Sequence, residues 1–265
     1  MMDILLYGIM VLLGLLGSFF SGLLGIGGAI INYPLLLFVP AGLDVAHFSA
    51  QEVSTISMFQ VFFASLAGVL AFRSRKDEPS LVHKGLVLYM GTSIMLGSLI
   101  GGMVSHFLDE QVINIIYGVL AMIAVVLMLI SNKGKPEQST SEITFNKWIA
   151  VGSAFLVGII SGVVGAGGAF ILIPIMLTVL KIPTRTTIAS SLAIVFISAI
   201  GGVIGKISTG HIPIIVTAFT VLGSLIGAPL GSKWSAKINP VILRYSLVVL
   251  ILLTAIKIWS SILGV

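Results

Sequence analysis

Long apolar runs separated by short polar segments extend along the whole chain. A helix needs about 20 residues to cross a hydrocarbon core of about 30 Å. Runs of this length are found at approximately Ile4–Leu24, Val53–Phe72, Leu81–Val104, Val112–Ile130, Trp148–Val164, Ile188–Gly205, Ile212–Gly231 and Val241–Ile262. The runs lack the alternation of apolar and polar residues that is typical of membrane barrels. The pattern therefore predicts an all-α integral membrane protein with about eight transmembrane helices.

Two shorter apolar pieces, Ala29–Phe38 and Ala169–Leu180, each follow a glycine-rich stretch and are too short to cross the bilayer alone. The stretches read "SGLLGIGGAIINYP" and "SGVVGAGGAFILIP", and eight of the fourteen positions are identical after a shift of 140 residues. The segment "GSLIG" also occurs twice, at 97–101 and 223–227. These matches indicate an internal duplication. We expect a four-span repeat in residues 1–131, a polar cytoplasmic linker in 132–147 and a second four-span repeat in 148–265.

The distribution of Lys and Arg gives the expected orientation, because cytoplasmic loops are enriched in both. In the first half and the linker, the cations Arg73, Arg75, Lys76, Lys84, Lys133, Lys135 and Lys147 all lie on one side of the predicted spans. In the second half, the predicted outer side has more cations than the inner side: Lys181, Arg185, Lys233, Lys237 and Arg244 against Lys206 and Lys257. Either an unplaced re-entrant segment or an anion pathway would explain this conflict. The first helix usually determines topology, so we expect parallel halves, with both termini cytoplasmic.

The composition excludes several classes of protein. Hydrophobic residues make up 57% of the chain and charged residues only 9%, whereas soluble domains carry about 25% charge. The chain has no cysteine, which excludes disulfides, thiolate catalysis and cysteine metal sites. Its basic residues lie in loops without the aromatic residues of a nucleic-acid patch. We expect a lipid bilayer and a small anion as partners, no nucleic acid, no cofactor and no metal. A homodimer is compatible with the sequence.

The glycines of the two stretches allow two interpretations. Gly22 and Gly162 each lie four positions from another small residue, and this small-xxx-small spacing favours close helix packing. The clustered glycines instead predict a broken helix, because consecutive glycines form helices poorly and a proline follows at the same distance in both copies. A helix that restarts after a break presents unpaired N–H groups at a positive dipole end, which attracts anions. The predicted anion-binding glycines are Gly25, Gly27, Gly28, Gly165, Gly167 and Gly168.

The doubled pattern SG(x)2G(x)GG(x)5P and the two "GSLIG" segments resemble the sulfite exporter TauE/SafE family of bacterial membrane transporters. The resemblance covers nearly the whole chain. It implies an eight-span secondary carrier for small anions, often sulfur oxyanions or organosulfonates. In that family the span after the glycine break often begins with Gly-Thr-Ser-Leu. The second copy is close, with "ASSL" at 189–192, whereas the first has "QEVS" at 51–54.

Polar residues near the starts of these spans are further candidates for substrate binding. Their side chains could replace the lost hydration of an oxyanion, although Ser and Thr in spans also bond to their own helix backbone. The candidates are Asn32, Gln51, Ser54, Thr187, Ser190 and Ser191. Glu52 is the candidate for proton coupling, because a carboxylate in a span is costly and often functional. The alternative is an interfacial Glu52 that simply reaches water.

These observations favour a secondary transporter that moves a small anion, such as sulfite, an organosulfonate or a related carboxylate, across the cytoplasmic membrane. An anion channel is the first alternative, since the same dipole ends would serve it. A membrane-embedded enzyme is a weaker one. It would need paired acids or a histidine cluster in the spans, whereas Glu52 stands alone there. The sequence does not specify the substrate, the direction of transport or the coupling ion.

Overall fold

The computed structural model of the chain describes residues 2–24, 29–73, 82–129, 143–210, 212–235 and 238–263. In these residues it contains ten α-helices and no strand. The helices are α1 (Met2–Leu24), α2 (Ala29–Gly42), α3 (Ala50–Arg73), α4 (Lys84–Val104), α5 (Glu110–Leu129), α6 (Lys147–Val164), α7 (Ala169–Pro174), α8 (Thr184–Thr209), α9 (Ile214–Ser235) and α10 (Pro240–Leu263). A 3₁₀ turn, Ser105–Phe107, follows α4, and a π-helix, Ile175–Val179, continues α7. The all-α prediction is confirmed.

Six of these helices are long and apolar enough to cross a membrane, within the part of the chain that the structure describes. They are α1, α3, α4, α6, α8 and α9. α3 and α8 are the most buried of the six, so they form the middle of the bundle. The other helices lie at the remaining predicted apolar runs, including the two short pieces after the glycine stretches.

Glycines allow two pairs of helices to pack with their backbones in contact. Along α4 and α6, a Cβ atom at Gly97 would collide with the Phe155 carbonyl, and one at Gly162 with the Ser98 carbonyl. Along α1 and α9, a Cβ at Gly223 would collide with the Val11 carbonyl. The repeated "GSLIG" segment therefore serves the same purpose in both places, because only glycine permits this approach.

The same contacts give the directions of the helices. Gly223 lies against Val11 and Gly231 against Phe19, so α1 and α9 run parallel. In contrast, Gly68 of α3 meets Leu192 of α8, and Met58 of α3 meets Gly202 of α8. The residue numbers rise in α3 as they fall in α8, so these two helices are antiparallel.

The antiparallel packing of α3 and α8 corrects one expectation. As the second long spans of the two halves, they were expected to point the same way, with the repeats related by an axis along the membrane normal. The prediction assumed that the short apolar pieces do not cross. However, α2 has 14 residues, a length of about 21 Å. It carries the chain back, so that α1 and α3 run in the same direction.

We call the end of the bundle at which α4, α6 and α8 begin the basic face, because Lys84, Lys147 and Arg185 lie there. Lys233, at the end of α9, lies on it as well. The other end is the opposite face, where α3 and α9 begin and α10 ends. α1 is parallel to α9, so Met2 also lies at the opposite face. The termini were expected on the same side as the basic loops, and the helix directions place them on the other side.

Candidate functional site

A cleft of about 590 Å³ opens on the opposite face of the bundle. It is formed by the first turns of α3, the 3₁₀ turn after α4, the last turn of α8 and the segment that leads into α9. The lining residues are Ser49, Gln51, Glu52, Thr55, Ser105, His106, Lys206, Thr209, Gly210, Ile212 and Pro213. Eight of these eleven residues have polar side chains, so the cleft offers hydrogen-bonding groups to a polar ligand.

Lys206 is the buried cation of this cleft. It lies in the last turn of α8 and is only 1% exposed. Its Nζ donates hydrogen bonds to Ser105 Oγ at 2.6 Å and to the Val163 carbonyl at 3.3 Å. Among the described residues, no carboxylate oxygen lies within 4.0 Å of it. An ammonium group has three N–H donors, so one donor of Lys206 is left for a further acceptor.

Glu52 is held at the start of α3 by a capping box. Its Oε2 accepts from the backbone N–H of Ser49 at 2.9 Å and from Ser49 Oγ at 3.1 Å. In return, Ser49 Oγ accepts from the Glu52 N–H at 3.2 Å. This reciprocal arrangement satisfies donors that a helix start otherwise leaves unpaired. Glu52 is half-buried and lines the cleft, so it has a structural role as well as access to the site.

Gln51 and Ser54 lie close to Glu52 and connect α3 to its neighbours. Gln51 Nε2 donates to the Leu108 carbonyl at 2.8 Å and lines the cleft. Ser54 is fully buried, and its Oγ donates to the Val163 carbonyl at 2.7 Å. The Val163 carbonyl therefore accepts from both Ser54 and Lys206. These hydrogen bonds connect the end of α6 to Ser54 of α3 and to Lys206, which lines the cleft.

The second glycine stretch breaks the helix as expected. α6 ends at Val164, and α7 begins at Ala169. Gly165, Gly167 and Gly168 have φ values of 78°, 62° and 81°, which L side chains rarely adopt and glycine adopts without penalty. Val61 and Val195, the neighbours of Gly167, lie halfway along α3 and α8. The break therefore reaches the middle of the bundle. The first-copy glycines Gly25, Gly27 and Gly28 lie outside the described residues.

Thr187, Ser190 and Ser191 lie far from the cleft, near the start of α8 at the basic face. Ser190 Oγ accepts from the His83 N–H at 3.0 Å. Ser191 Oγ donates to the Ile188 carbonyl at 3.0 Å, and Thr187 Oγ1 to the Ile182 carbonyl at 3.5 Å. The structure therefore brings Gln51, Glu52 and Ser54 together but separates them from these three residues.

Asn32 is buried in the first half of the bundle, where it is 1% exposed. It lies in the first turn of α2, beside Gly17 of α1 and close to Gln60 of α3. Neither atom of its amide group has a hydrogen-bond partner among the described residues. Asn32 thus does not contribute to the lining of the cleft.

Sequence reasoning missed Lys206 and Gln60 as candidates for binding. Lys206 was considered only as a cation for the membrane orientation, although it interrupts the apolar segment "GGVIGKISTG". Gln60 is likewise a polar residue in the middle of an apolar run. A charged or amide side chain within a span is costly and is a reason to expect function. That signal was available for both residues.

Comparison with known proteins shows what this chain is similar to. The family model described as sulfite exporter TauE/SafE matches residues 10–258. The probable membrane transporter protein YunE of Bacillus subtilis is 25% identical over 87% of this chain and 89% of its own length. A probable membrane transporter protein of Methanocaldococcus jannaschii is 26% identical over 99% of this chain and 94% of its own length.

A third relative, a probable membrane transporter protein of Xylella fastidiosa strain 9a5c, is 31% identical over 74% of this chain and 69% of its own length. No solved structure matches the chain. The residues that the family model matches include both glycine stretches and the helices that form the cleft.

Proposed function

The chain belongs to the sulfite exporter TauE/SafE family of membrane transporters, and on this premise we propose that it is a secondary carrier for a small anion. The substrate class is a sulfur oxyanion, an organosulfonate or a related carboxylate. No nucleotide-binding motif occurs in the sequence, so gradients of ions or of the substrate would drive transport.

Lys206 carries this proposal. Burial of a cation is costly unless it is paired, and the two recorded partners of Lys206 Nζ are a neutral hydroxyl and a neutral carbonyl. A small anion in the cleft would supply the missing negative charge and accept the third N–H. The Ser105 and Val163 contacts hold the ammonium group in place before the anion arrives, so little side-chain freedom is lost on binding.

We further propose that the chain crosses the membrane with eight long helices, and that its halves form an inverted repeat. The packing supports this interpretation, because α1 with α9 and α6 with α4 use glycines at matching sequence positions. The antiparallel directions of α3 and α8 fit a pseudo-twofold axis in the membrane plane. Many secondary transporters are built in this way, with the substrate site near the repeat interface.

The basic face would be cytoplasmic. All fourteen Lys and Arg residues except Lys206 and Lys257 are at helix ends on that face or in the chain segments that link those ends. This distribution agrees with the positive-inside rule for both halves. It also removes the charge conflict that arises when the two halves are arranged in parallel. The cleft, Lys206 and both chain termini would then face the outside of the cell.

Glu52 would couple anion movement to a proton. A permanently ionised carboxylate in the same cleft would repel the anion that Lys206 attracts, and protonation on substrate binding would remove that repulsion. The cleft lining supports the proposal, since it contains both Glu52 and Lys206.

Counterflow in proteoliposomes tests the proposed function. Purified protein is reconstituted into vesicles loaded with unlabelled sulfite, sulfate, thiosulfate, sulfoacetate or chloride, and uptake of the radiolabelled anion is followed. A carrier gives saturable uptake that is accelerated by the same anion inside. A channel shows no such acceleration, and uptake equal to that of empty vesicles for every anion would refute the proposal.

A further inference from the structure

The duplication relates the two central helices, α3 and α8, to each other. The matching segments "QEVS" at 51–54 and "ASSL" at 189–192 lie near the starts of these helices, 138 residues apart. The same shift gives Gly68, near the end of α3, the position of Lys206, near the end of α8. Because the helices are antiparallel, the start of each lies beside the end of the other. The molecule therefore has two equivalent meeting points, one at each face.

The meeting point at the opposite face is polar. Ser54 and Lys206 both donate to the Val163 carbonyl there. Ser105, which follows α4, accepts a further hydrogen bond from Lys206. Gln51 is partly exposed and lines the cleft. This end of the contact between α3 and α8 is therefore open to a polar ligand.

The meeting point at the basic face is apolar and closed. Leu192, the counterpart of Ser54, is 1% exposed, and Ala189, the counterpart of Gln51, is 7% exposed. A Cβ atom at Gly68 would lie 2.9 Å from Leu192 Cδ2, so the leucine packs against the bare backbone of α3. We call this contact of Leu192 with Gly68 the apolar closure. The arrangement that forms a cleft at one face is thus packed shut at the other.

Apolar side chains also fill the contact between the two meeting points. A Cβ atom at Gly202 would collide with Met58, and the rings of Phe62 and Phe196 stack with their centres 5.5 Å apart. The ten residues from Met58 to Gly68 correspond to about 15 Å of helix. An anion loses its hydration in such surroundings at a high cost in free energy. The described parts of α3 and α8 therefore close the way from the cleft to the basic face in this conformation.

We propose that the apolar closure is the gate of the carrier at the basic face, and that Leu192 leaves Gly68 when the carrier opens there. The cleft closes in the same movement, because α3 and α8 take part in both meeting points and a tilt that separates one pair of ends brings the other pair together. This inference rests on the proposed function, since an anion that enters at Lys206 has to leave at the other face.

The interactions at the basic face suit a gate that opens repeatedly. Gly68 has no side chain, so Leu192 meets it through van der Waals contacts, which are individually weak. The start of α8 is tied to the start of α4 by a hydrogen bond from the His83 N–H to Ser190 Oγ at 3.0 Å. Such a neutral hydrogen bond makes a modest net contribution to stability. Opening therefore exchanges weak contacts for hydration of the two helix ends.

Two cysteine reporters measure the two ends of the contact between α3 and α8. The chain lacks cysteine, so Gln51→Cys reports on the cleft and Ala189→Cys on the basic face. Each single-cysteine protein is placed in lipid nanodiscs, in which a small charged maleimide reaches both faces. Sulfite is left out because it reacts with maleimides. With Leu192 in place, we expect Gln51→Cys to react faster than Ala189→Cys.

Leu192→Ala, added to each reporter, tests the gate. The substitution removes packing only from the state that is closed at the basic face, so the equilibrium shifts towards the state that is open there. Labelling of Ala189→Cys should become faster and that of Gln51→Cys slower, and the ratio of the two rates should change by at least about tenfold. A purely structural role of Leu192 would loosen the bundle and raise both rates. Unchanged rates, or a rise in both, would overturn the inference.

Leu120→Ala and Leu192→Met are the matched controls. Leu120 is a leucine of α5 that is 4% exposed, so Leu120→Ala should lower the thermal unfolding temperature without changing the labelling ratio. Methionine nearly conserves the volume of leucine, so Leu192→Met should keep the ratio measured with leucine. A change in Leu120→Ala as large as that in Leu192→Ala would refute the assignment of the gate to Leu192.

The labelling and counterflow assays separate the failure of this inference from that of the proposed function. If wild type shows counterflow of a tested anion while Leu192→Ala leaves the labelling ratio unchanged, only the gate is refuted. If no tested anion shows counterflow, the proposed function is refuted. Opposite changes in the two labelling rates would then still support the apolar closure as a gate, in a protein with a different cargo.

Discussion

Replacement of Lys206 by methionine should strongly reduce anion affinity. A unit charge about 4 Å from the ammonium is attracted by about 1 kcal/mol in bulk water and by about 4 kcal/mol at an effective dielectric constant near 20. These energies correspond to about fivefold and about a thousandfold in affinity. Because Lys206 is only 1% exposed, the value for an effective dielectric constant near 20 applies better than the value for bulk water. We therefore expect the KM for uptake to rise by about a hundredfold or more.

The measurement is the concentration dependence of radiolabelled anion uptake into proteoliposomes. Methionine fills a volume similar to that of lysine and carries no charge, so Lys206→Met should remain folded, which thermal unfolding checks. Lys257→Met is the matched control, because Lys257 is an exposed lysine toward the end of α10, 5.1 Å from the centre of the Phe38 ring. It removes the same charge from the same face. Equal KM values for wild type and Lys206→Met would refute the assignment.

Three further predictions concern coupling, the glycine break and orientation. In Glu52→Gln the cap of α3 should persist, since glutamine also serves in a capping box, whereas the dependence of uptake on pH should flatten. An unchanged response to an imposed proton gradient would exclude Glu52 as the coupling residue. Gly167→Leu should insert into the membrane but lose transport, because position 167 has a φ of 62° and a side chain there would collide with Val61 and Val195. Full activity of this variant would contradict the prediction. The chain lacks cysteine, so an impermeant maleimide added to intact cells should label Phe107→Cys and not Thr144→Cys, and the reverse labelling would refute the proposed orientation.

The positions of the helices could be predicted from the sequence because apolar length and breaks are local properties. Each predicted apolar run coincides with a helix, and the clustered glycines at 165–168 end α6 where the repeated pattern indicated. The close packing of the "GSLIG" segments was also recognisable, since small residues at a spacing of four are typical of helix contacts in membranes.

The candidate site was only partly predictable. Gln51 and Glu52 were identified by their polarity near the start of a span, and both line the cleft. Lys206 was missed although its charge within an apolar run was a local signal. Its place in the cleft could not be predicted, because it is 155 residues away from Gln51 along the chain and nothing local indicates that the end of α8 meets the start of α3. Thr187, Ser190 and Ser191 fitted the sequence pattern equally well, but they lie near the other end of α8.

The sequence by itself determined that this is a membrane protein, its all-helical class, the approximate positions of its helices and the duplicated glycine stretches. Only the tertiary structure decided the helix directions. A short apolar piece such as α2 can either turn back or cross most of the bilayer. The two alternatives give opposite directions to every helix that follows. Contacts such as Gly68 with the Leu192 side chain and Gly202 with the Met58 side chain settle that choice, because the residue numbers rise along α3 as they fall along α8. That direction brings Lys206 beside Ser105 and makes it part of the cleft.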